Sequence, residues 1–168
     1  YFSQNAGGPG QALDGGLSIF AAGNSDHSHP SRGYPSSYEK NLSVASSDHA
    51  GVKSSFSNYG FWVDITAPGS DVYSSDINGS YSSLSGTSMA CPHVSGVAAL
   101  VASKYYRENT TLTAEELRGI LLNSANQILL YEQNPEYIGQ MGHGMLDAFA
   151  AVNSVETDNT EPSCETSF

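Results

Sequence analysis

The stretch that most constrains this chain is Gly86-Thr-Ser-Met-Ala-Cys-Pro-His-Val-Ser-Gly96. It sets a serine on a turn that feeds directly into a helix. Residues Met89 to Tyr105 have helical composition, with Pro92 expected in the first turn, where a missing N–H costs nothing. Val94, Val97, Ala98, Leu100 and Val101 cover more than one face. This helix is therefore expected to be buried nearly all round, with Gly96 admitting a close neighbour. A helix start presents unpaired N–H groups and partial positive charge, which favour an anion nearby. An oxyanion formed on an acyl group attached to Ser88 would sit there, with the Ser88 N–H as one donor. Gly86 would let the backbone approach a substrate closely. A Thr-Ser pair before a helix is often only an N-cap, so the rest of the chain has to decide between cap and nucleophile.

Upstream, Leu17-Ser-Ile-Phe-Ala-Ala22 is a short apolar run stopped by Gly23-Asn24, which predicts a buried strand ending in a turn. Asn24 to Gly33 is polar and contains Pro30, so it reads as a loop. Leu42 to Ala45 and Val63 to Ala67 are further strand candidates, the second closed by Pro68-Gly69. Val72 to Ile77 and Ser80 to Leu84 flank Asn78-Gly79, a dipeptide that accepts the positive φ angles of a hairpin turn. Downstream, Thr113-Ala-Glu-Glu116 is a capping box opening a helix with Leu117, Ile120 and Leu121 at core spacing. A last helix is expected from about Met145 to Val152. Residues 153–168 are rich in Ser, Thr, Asn and Glu and read as a polar tail or linker. Strands followed by helices predict an α/β layer architecture. The first strand arrives by residue 17 with no glycine-rich phosphate loop before it, so the domain is expected to begin before Tyr1.

The 168 residues suffice for one small domain with a modest core. Six basic against seventeen acidic side chains give a formal charge of −11. That balance argues against nucleic acid or an anionic membrane as partner, since both need a basic surface. The longest apolar run, Val97 to Ala102, is too short to span a bilayer. Tyr1 to Gln4 are neither basic nor strongly apolar, unlike a signal peptide. Cys91 and Cys164 form neither a disulfide framework nor a C-x-x-C zinc pair.

The nucleophile string as a whole resembles the motif of the subtilisin-like serine peptidases, the subtilases, with Cys91 a tolerated variant. Ala21-Ala22-Gly23-Asn24 is similar to the family segment whose Asn side chain completes the oxyanion hole. Ser55-Phe-Ser-Asn-Tyr-Gly60, Ala67-Pro-Gly69 and Gly142-His-Gly-Met-Leu-Asp-Ala148 are similar to later family signatures, in the right order. The resemblance covers about residues 1 to 152. It implies a three-layer subtilisin-like α/β fold with a mostly parallel central sheet, present only as its C-terminal part. It implies that Ser88 is acylated by a polypeptide substrate and that Asn24 donates a side-chain N–H to the oxyanion. Ala22, Gly23 and Thr87 are then expected against the substrate. Gly33, before Tyr34-Pro35, is expected at the floor of the pocket for the residue preceding the scissile bond. A secreted or cell-surface protein follows from the same resemblance.

The family also requires an Asp in an Asp-Ser/Thr-Gly turn and a His in a His-Gly-Thr-His context, and neither is in this sequence. Asp14-Gly15-Gly16 does not match. The resemblance places both upstream, in a missing N-terminal portion of the same domain, which would be the essential partner. The rival readings are a catalytically silent subtilase-like binding module and an α/β-hydrolase. The second requires Gly-x-Ser-x-Gly, and Ala90 stands at its last place. His93 is expected to pack in the interior rather than act as a base. His27 and His29 beside Asp26 read as an exposed polar loop rather than a metal site. No cofactor is required. Asp64 resembles a position near a weak structural calcium site in some relatives, but Trp62 stands where another ligand is expected, so the segment gives a calcium ion no support.

Overall fold

The structure is a computed structural model that describes residues 2–8, 10–30, 33–107 and 110–154. Its centre is a three-stranded parallel sheet of β2 (Ile19–Ala21), β3 (Leu42–Ser47) and β4 (Ile65–Pro68), in that spatial order. The register sets Ile19 against Leu42, Ala21 against Val44 and Val44 against Ile65. Every residue of β3 is buried, as expected of a central strand covered on both faces. Alternation then divides its side chains. Leu42 and Val44 join a core with Ile65, Ala67, Val94, Val101 and Leu121, while Ala45 joins a second core with Ala22, Leu130, Met141 and Met145.

The first core is closed by α2 (Thr87–Arg107), α3 (Ala114–Asn123) and α5 (Ala148–Asn153). The second is closed by α4 (Gln127–Gln133) and by the Tyr59, Trp62 and Tyr137 rings. Helices on both sides of a parallel sheet give the three layers. A four-residue helix α1 (Phe2–Asn5) precedes them, and β1 (Leu13–Asp14) pairs in parallel with β7 (Leu112–Thr113). β5 (Val72–Ser75) and β6 (Tyr81–Leu84) form the antiparallel hairpin, with Asn78 at φ 59° and Gly79 at φ 71° as that dipeptide predicts.

Several expectations are corrected. Helix α2 is buried along one stripe only: Val94, Val97, Ala98 and Val101 are buried in the core, whereas Leu100 is 58% exposed and a Cβ on Gly96 would meet no neighbour. The helix opens at Thr87 because the Gly86 carbonyl accepts from both Met89 N and Ala90 N. Pro92 therefore lies beyond the first turn and leaves the Ser88 carbonyl without its usual i+4 donor. Met145 and Leu146 are extended rather than helical, bonded to Asn126 and Thr66, and α5 starts only after the Asp147 cap. Of the expected polar tail, Asn153 closes α5 and Ser154 follows it. Residues 155–168, Cys164 included, lie outside the described residues. Among the described residues no helix is long and apolar enough to cross a membrane.

Candidate active site

The turn before α2 is held by close backbone approach. Gly86 N donates to Gly69 O at 2.8 Å, and a Cβ on Gly69 would lie 2.7 Å from Gly86 O and 2.4 Å from Ser46 Oγ. Only glycine at 69 lets the β4–β5 connection seat this turn. With Gly86 O occupied by the first helical donors, the N–H groups of Thr87 and Ser88 at the positive end of α2 have no acceptor within the helix.

The strand β2 delivers the second part. Its chain continues through Ala22 and Gly23 into Asn24, and Gly23 adopts φ 102° to turn it. Asn24 Oδ1 accepts from Thr87 N at 2.9 Å and from Thr87 Oγ1 at 2.8 Å. Those two bonds assign the amide: oxygen inward, Nδ2 outward. A Cβ built on Gly86 would lie 3.2 Å from Asn24 Nδ2, 3.7 Å from Ser88 N and 3.6 Å from Met89 Sδ. The space a side chain at 86 would fill is therefore bordered by two N–H donors, and neither donates to another described residue. Ser88 itself is exposed. It opens onto a hollow of about 410 Å³ between α2 and the hairpin, lined by Tyr73, Leu84, Met89 and Pro92 among others.

Ser88 and Asn24 are thus brought together. The other expected contact residues take supporting places. Ala22 and Thr87 are each 1% exposed. Ala22 N bonds Val44 O, Ala22 O accepts from Asn58, and Thr87 Oγ1 accepts from Gly23 N at 3.1 Å. Gly23 O accepts from Asn58 N. Their polar groups are thus engaged inside the chain, where they hold the turn that carries Asn24. At Gly33 the Trp62 ring lies where a side chain would be, 2.4 Å from a built Cβ. Trp62 is held there by its Nε1 bond to Ser28 O.

Among the described residues, no imidazole or carboxylate bonds Ser88. His93 is exposed rather than packed, a correction, and its Nδ1 donates to Met89 O at 2.8 Å. Asp26 is ion-paired with Lys53 at 2.7 Å, and His27 Nδ1 accepts from His29 N. Asp64 accepts from Ser43 N and from Arg118. Burial raises its pKa above the ordinary carboxylate value, against the Ser43 and Arg118 contacts that lower it. Asp64 is thus engaged by a guanidinium and a backbone N–H of its own chain. Two contributors escaped the sequence reading, Asn58 and Lys53. Asn58 lies inside the Ser55–Gly60 signature, which was the only signal for it.

A parallel sheet covered on both faces, with a serine and an amide donor brought together at Gly86 where a strand end meets a helix start, defines an α/β scaffold of a particular kind. Residues 3–162 match the model of the Subtilase family, and the chain belongs to that family. It is 45% identical over 114 residues to thermitase of Thermoactinomyces vulgaris, covering 68% of this chain and 38% of that protein. It is 40% identical over 151 residues to an extracellular basic protease of Dichelobacter nodosus, covering 86% of this chain and 24% of that one. Among solved structures it resembles the prenylagaramide maturation protease PagA, with TM-score 0.72, 32% identity, and 82% and 49% of the two chains covered. The chain therefore spans less than half the length of each of these relatives.

Proposed function

We propose that this chain supplies the nucleophile and oxyanion-binding half of a serine endopeptidase, and that the catalytic His and Asp come from an N-terminal portion of the same domain. The observation that carries this reading is the approach of Asn24 Nδ2 and Ser88 N to one point, the Cβ position of Gly86, at the start of α2. Ser88 Oγ would attack the peptide carbonyl carbon while an imidazole takes its proton. The carbonyl electron pair moves onto oxygen, where the two N–H donors meet it. Collapse expels the amine, which receives the proton from the imidazolium, and water then hydrolyses the Ser88 ester by the same path.

The family membership, the protease names of the relatives and their greater length support this assignment. So does the uncovered flank of the sheet. β2 is half-buried to exposed although its neighbour β3 is wholly buried, and its outer edge pairs with no described strand. The extracellular names of relatives support action outside the cell on polypeptides. The test uses the full domain, this chain with its N-terminal portion, on a chromogenic peptide. Ser88→Ala should abolish turnover. Asn24→Ala should lower kcat by about 10²–10³, the loss known for such a donor in a subtilisin. If the full domain gives no turnover and no labelling of Ser88 by a fluorophosphonate, the silent binding module replaces this reading.

A further inference from the structure

The segment Ala22-Gly23-Asn24-Ser25 must project a side chain at a fixed point although it belongs to no helix and lies beyond the end of β2. Its backbone groups need partners that a strand would otherwise supply. Four of them in and just after this segment go to one residue. Asn58 Nδ2 donates to Ala22 O at 2.8 Å, and Asn58 N donates to Gly23 O at 2.9 Å. Asn58 Oδ1 accepts from Ser25 N at 3.0 Å and from His27 N at 3.1 Å. An asparagine side chain has a donor nitrogen and an oxygen with two lone pairs, and this site uses all three functions. Asn58 is 2% exposed, so solvent cannot replace those bonds.

The fit is close. A Cβ on Gly23 would lie 2.5 Å from Asn58 Nδ2, so the glycine that turns the chain at φ 102° also admits the amide. A second clamp lies two residues past Asn24. Asp26 N donates to Phe56 O, and Asp26 Oδ1 pairs with Lys53 Nζ, which sits 5.0 and 4.9 Å from the Tyr59 and Tyr137 ring centres. Thr87 fixes the side chain of Asn24, and Asn58 fixes the backbone on either side of it.

We propose that Asn58 is a positioning residue of the oxyanion hole, setting the backbone of Gly23 to Ser25 so that Asn24 Nδ2 stays over Gly86. The proposal rests on the peptidase reading above. Asn58 touches neither substrate nor the reacting serine and acts through Asn24. Without it, Ser25 N and the Ala22 carbonyl lose their partner, and Asn24 moves off the point where negative charge develops. A donor that matters only in the transition state affects kcat and leaves KM nearly unchanged.

The experiment measures kcat and KM in the full domain for Asn58→Ala, Asn24→Ala, the double variant, Gly23→Ala and Asn58→Asp, with active sites counted by fluorophosphonate labelling of Ser88 taken to completion. Asn58→Ala should lower kcat per labelled site by about 10–100-fold, part of the 10²–10³ that loss of the donor itself costs, with KM within about twofold. Affinity for a peptide aldehyde, which forms an oxyanion on Ser88, should fall in parallel. In the Asn24→Ala background, Asn58→Ala should cost less than about threefold more, because the donor it positions is already gone. Gly23→Ala strains the turn at φ 102° and drives a methyl against Asn58 Nδ2, so it should lower kcat as well. Asn58→Asp, which keeps the acceptor oxygen and loses the donor to Ala22 O, should show the same signature as Asn58→Ala and decides the matter if that variant does not fold. Unchanged kcat per labelled site in Asn58→Ala, or a full independent loss on top of Asn24→Ala, overturns the proposal alone. Unchanged kcat in Asn24→Ala overturns the oxyanion reading and this proposal with it.

Discussion

At the scale of single residues, the site is an arrangement of donors around the small volume at the Cβ position of Gly86. Thr87 turns the Asn24 amide by accepting from Gly23 N and donating to Asn24 Oδ1, so a hydroxyl beside the nucleophile orients the amide next to it. Met89 borders the same volume, with its sulfur 3.6 Å from the Cβ position of Gly86. Oxidation of that thioether would add a polar, bulky oxygen beside the two N–H donors. Peroxide treatment of the full domain should therefore lower turnover progressively, and Met89→Ala should hold its activity under the same treatment. Equal loss in both proteins, followed by peptide hydrolysis and by mass of the Met89 peptide, would remove Met89 from the account. Ser88 and Asn24 were legible in the sequence because each sits in a contiguous string with a glycine before it. Asn58 was not, because its bonds join residues more than thirty positions apart and nothing local requires them. Trp62 was misleading for a related reason. It was read against a metal position, whereas its ring packs on Gly33 across a loop.

At the scale of elements, local chemistry set the starts of helices better than their burial. The capping box is present as read: Glu116 N donates to Thr113 Oγ1 at 3.2 Å, and Thr113 N donates to Glu116 Oε2 at 2.8 Å. Those bonds from the Thr113 backbone and side chain hold the Glu116 carboxyl below its ordinary value of 4.5. A carboxylate depressed in the folded state binds its proton more weakly there than when unfolded. Its contribution to stability is therefore complete above about the ordinary value and is lost as pH falls through the lower folded one. Thr113→Ala should cost about 1 kcal/mol at neutral pH, the usual value of an N-cap. It should also flatten the part of the acid limb due to Glu116. Thermal melts of wild type and variant from neutral pH into the acid range check this: a gap that stays constant with pH would show that the box carries no titrating contribution. Burial was read less well. The apolar residues of α2 suggested cover on every side, but composition does not say which neighbour provides the cover, and here one stripe is covered, by the sheet together with α3 and α5. The helix limits of α2 and α5 moved for a similar reason, since the Gly86 N–Gly69 O and Met145–Asn126 bonds that set them are tertiary pairings.

At the scale of the whole molecule, charge, sheet edge and helix face combine into one expectation. β2 has a bonded neighbour on one side only among the described residues, Phe20 on it is 38% exposed, and Leu100 on α2 is 58% exposed. Between the two elements lies an apolar hollow of about 460 Å³ bordered by Leu17, Ile19, Ala98, Ala102 and Leu117. An uncovered parallel edge next to apolar side chains is a template for another strand and a hazard for a chain alone. The net charge of −11 opposes self-association, but it cannot satisfy the backbone groups of an open edge. On the split-site reading, the purified chain of 168 residues should therefore be a poor peptidase for two independent reasons. No described imidazole reaches Ser88 to take its proton, and a serine hydroxyl without a base is a weak nucleophile. The edge strand and one wall of the cleft also lack their cover. Adding the N-terminal portion in trans should raise the fraction of soluble monomeric complex in size-exclusion chromatography and restore hydrolysis of a chromogenic peptide. Ser88→Ala should keep the first gain and lose the second, since that change touches the reacting atom and not the edge. Inhibitor-sensitive turnover by the chain alone, absent in Ser88→Ala and comparable with that of the combined portions, would show that the catalytic machinery is not divided.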